Sequence, residues 1–122
     1  GMDNAVRFDS GKMLKNGKNA YSFDQESVDL NAYLFAEKNY LNKISNVLKL
    51  TNEAAKWQEE VAILKKKIRK QFWDAARGWF FDSNLTGMGL LSKDMGCEGY
   101  IPLWAGIATK KQAKAMMKNM MS

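Results

Sequence analysis

The sequence predicts an all-α fold in which helices stack in two layers. Three observations predict it: two helical patterns of nearly equal length joined by a short link, a sharp contrast in how much of each is apolar, and a third, capped helix further on. Aromatic, glycine-rich segments join them, and loops of that size in so short a chain are uncommon unless they serve a site.

Residues 1–27 carry no sustained period. Asp9-Ser10-Gly11 and Asn16-Gly17 are turn signals, so an irregular loop with a short hairpin is expected. The first helix is expected from about Ser27 to Leu48. Leu30, Leu34, Leu41, Ile44 and Leu48 recur every three to four residues, with Tyr33, Tyr40 and Val47 alongside. Apolar residues cover well over half its circumference, the mark of a helix enclosed by others. The second helix is expected from Thr51, read as its N-cap, to about Trp73. Here Trp57, Val61, Leu64, Ile68 and Phe72 form one narrow stripe and the opposite face is charged, as on an outer helix. Each runs for about 21 residues, roughly 31 Å. The short link at Lys49-Leu50 makes them an antiparallel pair, one inner and one outer.

Gly78 ends that region, and Trp79-Phe80-Phe81-Asp82 reads as a short extended piece. Residues 84–99 hold four glycines and read as loop. Tyr100-Ile101-Pro102-Leu103-Trp104 is expected to be extended, because a proline biases the residue before it away from helix. Thr109-Lys110-Lys111-Gln112 is a capping box for the third helix. Its expected buried face is Ala113, Met116, Met117, Met120 and Met121, with methionine as core filler. One inner-plus-outer hairpin cannot enclose its own inner helix, so either further chain or a second copy is expected to cover it, and a lone chain to self-associate.

Composition removes several chemistries. The 122 residues contain no histidine and one cysteine, Cys97. Imidazole-based nucleophilic catalysis, His-containing zinc sites and an intrachain disulfide are therefore absent. No apolar run approaches a membrane span, and Gly1 to Asn19 is polar and loop-like, so no secretory segment is expected within it. The net charge of +6 would suit nucleic acid, but the Lys65-Lys66-Lys67-Ile68-Arg69-Lys70 cluster fans around a helix as a solvated outer face does. Neither nucleic acid nor membrane is expected as a partner, and no cofactor or metal is expected. Asp82-Ser83-Asn84 has calcium-loop flavour without the remaining ligand spacing.

Acid/base chemistry then falls to carboxylates in poorly solvated places. Asp3 lies in Gly1-Met2-Asp3-Asn4-Ala5-Val6-Arg7-Phe8, where an acid, an amide and a guanidinium alternate with apolar residues. Asp29 and Glu37 project onto the apolar arc of the first helix, where a buried carboxylate needs a partner. The helix dipole suffices for Asp29, and Glu37 can extend to solvent. Glu98 sits in a glycine-rich loop beside Tyr100; acids next to aromatic platforms suit sugars, whose hydroxyls need acceptors while their apolar faces stack on rings.

Four segments in this order carry a resemblance. They are Gly1-Met2-Asp3-Asn4-Ala5-x-Arg7-Phe8, Ser27-Val28-Asp29-Leu30-Asn31-Ala32-Tyr33-Leu34, Phe72-Trp73-Asp74 followed by Gly78-Trp79-Phe80-Phe81-Asp82, and Glu98-Gly99-Tyr100-Ile101-Pro102-Leu103-Trp104-Ala105-Gly106. Together they resemble the catalytic domain of glycoside hydrolase family 63, which includes processing α-glucosidase I and bacterial α-glucosidases and is related to the trehalases. The resemblance implies a partial (α/α)6 barrel around a sugar pocket and an inverting cleavage of α-glucosidic bonds in oligosaccharides by two carboxylates, which inversion sets about 6.5–9.5 Å apart. It maps the general acid onto Asp3 and substrate binding onto Arg7, Glu98 and Trp104. No carboxylate here corresponds to the general base, and about three of a barrel's twelve helices are present. The expectation is one incomplete segment of a catalytic domain over residues 1–122, inactive alone, whose partners are an oligosaccharide and either a second copy or the remaining barrel. A non-catalytic carbohydrate-binding module and a helical interaction module are the alternatives.

Overall fold

Two stretches free of proline and glycine give the two long helices, as the periodicity requires. In the computed structural model, which describes residues 6–91 and 94–121, α1 spans Val28–Val47 and α2 spans Thr51–Gln71. They reverse through Leu48, Lys49 and Leu50. Lys49 takes a left-handed backbone (φ 59°), and the Leu50 N–H reaches back to the Ser45 carbonyl at 2.8 Å, closing α1. The pair is antiparallel and stitched by side chains. The Asn42 amide donates to the Ala54 carbonyl at 2.7 Å, and Lys38 pairs with Glu60 while lying over the Trp57 ring.

Short antiparallel ribbons flank the helices among the described residues. β1 (Met13–Lys15) and β2 (Tyr21–Phe23) form the hairpin expected around Asn16-Gly17. β3 (Gln25–Glu26) pairs with β6 (Ser83–Asn84), bringing the start of α1 against the far end of the aromatic run. β4 (Trp73–Asp74) pairs with β5 (Trp79–Phe80), Trp73 opposite Phe80. Their turn needs Gly78 in the left-handed region (φ 64°), and the Asp74 carboxylate accepts from the Ala76 and Arg77 N–H groups inside it.

The core lies where these ribbons meet the helices. Phe72, Phe80, Phe81, Ile68, Ile107 and Met116 are all but sealed, joined by Val28, Ala32 and Phe35 from α1. α3 (Ile101–Trp104) and α4 (Lys110–Met120) close its other side. The Thr109–Gln112 capping box forms in both directions, at 3.2 and 2.9 Å. Part of the basic cluster is engaged within the chain: Arg69 donates to the Ile107 carbonyl at 2.6 Å, Lys67 pairs with Glu26 at 3.5 Å, and Lys65 lies over Phe35.

Four local expectations are corrected. Thr51 is the first residue of α2 and Leu50 is its N-cap, with no side-chain cap bond. Tyr100 to Trp104 is helical, not extended. The 3-10 turn Cys97–Tyr100 delivers the chain already curled, Ile101 is αR, and Pro102 falls in the first turn of α3, where no helix partner needs its missing N–H. On α4 only Met116 of the four methionines is sealed; Met117, Met120 and Met121 face outward, and Gln112 is buried by its role in the cap. On α1 the residues that pack are Val28, Asp29, Ala32, Phe35 and Ser45, while Leu30, Leu34, Leu41, Ile44 and Leu48 are exposed. The apolar period thus falls largely on side chains that the described residues leave exposed.

Candidate functional site

A guanidinium between two carboxylates lies at the N-terminal end of α1. The 3-10 turn Val6–Phe8 presents Arg7, and Phe8, stacked on Phe23 with centroids 5.5 Å apart, fixes that turn against β2. Arg7 Nη2 donates to both Asp29 oxygens, at 2.9 and 3.1 Å, and Nη1 lies 3.6 Å from Asp82 Oδ1. All three side chains are at least nine-tenths buried. Among the described residues, Arg7 Nε and Nη1 find no hydrogen-bond partner.

Asp82 performs a second task here. The N-cap of α1, Ser27, makes no side-chain cap bond, and the first N–H groups of a helix have no partner within it. The Val28 N–H donates instead to Asp82 Oδ1 at 2.8 Å, from a residue 54 positions later, while the Gln25 amide donates to Oδ2 at 3.3 Å. Asp82 is therefore a long-range cap that ties the end of the aromatic run to the start of α1. Burial pushes its carboxyl above the usual carboxylate range. The Val28 N–H and Arg7 oppose that shift, and Asp29 and Glu98 add to it.

Glu98 enters through packing of the 3-10 turn Cys97–Tyr100 on β5. Trp79 Nε1–H donates to the Gly96 carbonyl at 3.2 Å, and Tyr100 lies beside Trp79 with centroids 6.5 Å apart. Gly99 permits the approach, since a Cβ there would run into the Phe80 carbonyl and the Trp79 ring. The negative charge of the half-buried Glu98 adds slightly to the raising of the Asp82 carboxyl. Trp104 ends α3 and meets Tyr33 edge-on, with centroids 6.0 Å apart, one α1 turn beyond Asp29.

The structure therefore gathers Arg7 with Asp29 and Asp82, sets Glu98 within electrostatic range, and places Trp104 further along the same helix. Asp3 lies outside the described residues. By sequence the helix dipole suffices for Asp29, and Asp82 belongs to an extended aromatic piece and a weak calcium-loop pattern. In the structure Asp29 is ion-paired to Arg7, and Asp82 faces the same guanidinium. The missed signal was the Trp-Phe-Phe run before Asp82: a carboxylate that ends three buried aromatics is buried with them and needs partners. Among the described residues no group of three or more acidic or cysteine ligands is placed to hold a metal.

Residues 1–122 match, as a whole, the family described as the mannosylglycerate hydrolase MGH1-like glycoside hydrolase domain. The chain belongs to that family. This glycoside hydrolase chain is also 28% identical over 101 residues to a probable trehalase of Eremothecium gossypii, covering 75% of the chain and 14% of that protein. It is 38% identical over 65 residues to the cytosolic neutral trehalase of Saccharomyces cerevisiae, covering 53% of the chain and 8% of that protein. Among solved structures it resembles neutral trehalase Nth1 from Saccharomyces cerevisiae, with a TM-score of 0.66 and 28% identity over 77% of the chain and 19% of that one. The chain thus spans less than a fifth of each of these relatives. Its inner and outer helices are part of the helical barrel of trehalase-like glycosidases.

Proposed function

We propose that the chain is one inner-and-outer segment of an inverting α-glycosidase of the family 63 type, acting on α-glucosidic bonds in oligosaccharides. Asp3 is the general acid that protonates the leaving glycosidic oxygen. A second carboxylate, from a part of the barrel outside these residues, activates water on the opposite face of the sugar. Glu98 and Trp104 bind the substrate, and Arg7, sealed between Asp29 and Asp82, supports the site from beneath.

The observation that carries this reading is the placement of Arg7. It follows the Gly-Met-Asp-Asn motif by three residues and is locked between Asp29 and Asp82 against the end of α1. An arginine so held is a fixed point beside the motif in sequence, and catalysis rewards fixed geometry.

The test compares two proteins: these 122 residues alone, and a chain in which the native sequence on either side is retained. Both are offered α-linked gluco-oligosaccharides, trehalose and mannosylglycerate, and released sugar is followed by proton NMR. The longer protein is expected to turn over one α-glucoside with the β-anomer appearing first, and Asp3→Asn to lower kcat by about 10²–10⁴-fold. The 122 residues alone are expected to show no turnover. Multiple turnovers by the short chain, an α-anomer as first product from the non-reducing end of a gluco-oligosaccharide, or release of α-glucose alone from trehalose, would refute this assignment.

A further inference from the structure

Charge in this chain is segregated. Residues 61–73 and 105–122 hold nine of the nineteen lysines and arginines and none of the thirteen acids, so the remainder sets ten cations against thirteen acids and is net negative. The first stretch is the second half of α2 and the second contains α4, and the fold ties them together. Arg69 Nε donates to the Ile107 carbonyl at 2.6 Å, just ahead of α4, while Ile68 and Met116 share the sealed core. Lys65 covers the Phe35 ring and Lys67 pairs with Glu26. Lys66 and Lys70 of α2 and Lys110, Lys111, Lys114 and Lys118 of α4 stand exposed. On α4, Lys110, Lys114, Met117 and Met121 recur every three to four residues and so lie on one side. Met117 is 53% exposed and Met121 83%, so methionines stand among the lysines on the outward strip. The opposite side is fixed to the core by buried Gln112 and Met116, and the Asn119 amide donates to the Arg77 carbonyl at 2.8 Å.

We propose that the outward face of α4, with the adjoining end of α2, adheres to the surface of an anionic phospholipid bilayer. Lysine ammonium groups are drawn to anionic headgroups, and flexible apolar side chains set among them reach the boundary between headgroups and acyl chains. No described helix is long and apolar enough to cross a membrane, so the contact is peripheral. Two observations favour lipid over other anionic partners. Because the inward side of α4 is held by the core, a partner meets the helix from one side only, as a flat surface does and a groove that wraps a basic helix does not. Phosphate recognition in nucleic acids relies on arginine forks and on aromatic rings that stack on bases, whereas Arg69 is engaged by the Ile107 carbonyl and the strip exposes lysine and methionine. The cluster on α2 taken alone reads as a solvated face; the patch arises because the fold adds α4 to it. This adhesion needs no sugar chemistry and stands apart from the proposed function.

The test is co-sedimentation of the 122-residue chain with large unilamellar vesicles of equal parts phosphatidylcholine and phosphatidylglycerol. Binding is expected to these vesicles, to weaken as salt is raised, and to be far weaker with phosphatidylcholine alone. Lysines near an anionic bilayer contribute about fivefold each, so Lys66→Gln, Lys110→Gln and Lys114→Gln together should weaken binding about a hundredfold. Lys12→Gln, Lys15→Gln and Lys18→Gln together remove the same charge from exposed positions around the β1–β2 hairpin and should weaken it by less than about threefold. Met117→Ser with Met121→Ser should reduce the binding that persists at high salt. All eight positions are exposed, so each variant is expected to keep the parent's far-UV circular dichroism. Equal losses in the two lysine triples would make the attraction a matter of net charge and overturn the proposal. Equal binding to neutral vesicles, which would report the apolar face of α1, or tighter binding to duplex DNA than to anionic vesicles, would overturn it as well.

Discussion

α1 and α2 are neighbours of almost equal length, yet their outward faces differ in kind. α2 turns Lys66, Lys67, Lys70 and Glu59 to solvent and hides Ile68 and Ala54. α1 hides the small or mid-sized Val28, Ala32 and Phe35 and exposes Leu30, Tyr33, Leu34, Tyr40, Leu41, Ile44 and Val47. Water is the designed environment of α2 and not of α1. That contrast is the structural signature of an inner helix beside an outer one, and it explains how the chain matches a glycoside hydrolase family throughout while covering 19% of a trehalase structure. One side of the molecule is a finished core; the other leaves large apolar side chains exposed.

The largest effect should come from breaking the finished side. Phe80 is fully buried between Trp73 and the rest of the aromatic cluster. Phe80→Ala is expected to cost about 3–5 kcal/mol in urea unfolding, enough to leave a small domain largely unfolded. Leu30→Ala, on the contact side at 67% exposure, should change stability by no more than about 0.5 kcal/mol. Equal losses in the two variants would erase the distinction between the sides.

Next in size is the junction of the two sides at Asp82. Asp82→Ala strands the Val28 N–H and the Gln25 amide and leaves Arg7 with Asp29 alone, for an expected loss of about 1–3 kcal/mol. Asp82→Asn keeps an acceptor for Val28 and should cost less. The pH dependence separates the causes. Because burial raises the folded carboxyl above its ordinary 3.8, the native state binds that proton more tightly than the unfolded chain. Stability from this group is therefore full below 3.8 and lost as pH rises through the raised folded value. Asp74 has the opposite sign. The Arg77 N–H and side chain lower its carboxyl, so its contribution is present above 3.8 and lost as pH falls through the lowered value. Urea midpoints against pH should lose the Asp82 component in Asp82→Asn and keep the Asp74 component; an unchanged profile would remove the burial account.

A smaller loss is expected at the α4 cap. Thr109→Ala removes the acceptor of the Gln112 N–H and should cost about 1 kcal/mol, with Thr109→Ser restoring most of it in the same assay. Full stability in Thr109→Ala would mean that the helix is held by Met116 and its neighbours alone.

What the sequence made legible tracks how local each cause is. The helix lengths, the Asn16-Gly17 hairpin and the Thr109 cap follow from residues near one another, and each stands as expected. Ile101 was misread because the local bias before proline yielded to a preceding 3-10 turn and a buried Pro102. Met117, Met120 and Met121 were misread because periodicity reports which face is apolar and is silent on whether a partner lies within the chain. Arg7 and Glu98 are singled out by motif resemblance alone, and the structure sets Arg7 between Asp29 and Asp82. The capping of α1 by Asp82 was not legible, because the two residues are 54 positions apart and no spacing rule links them.

The smallest expected change in stability carries the sharpest test of the contact side. Ile44 and Val47 are exposed on α1, Val47 at 81%. Ile44→Gln and Val47→Gln together should shift the urea midpoint by little, since neither side chain is withdrawn from water in the folded chain. Their effect should instead appear in sedimentation velocity. An apolar helix face of this extent favours association, so the parent chain is expected to sediment as a mixture weighted toward species larger than a monomer at micromolar concentration, and the double variant as a monomer. A parent chain that stays monomeric would show that α1 tolerates water as well as α2 does, and the reading of one side as a surface made for contact would fall with it.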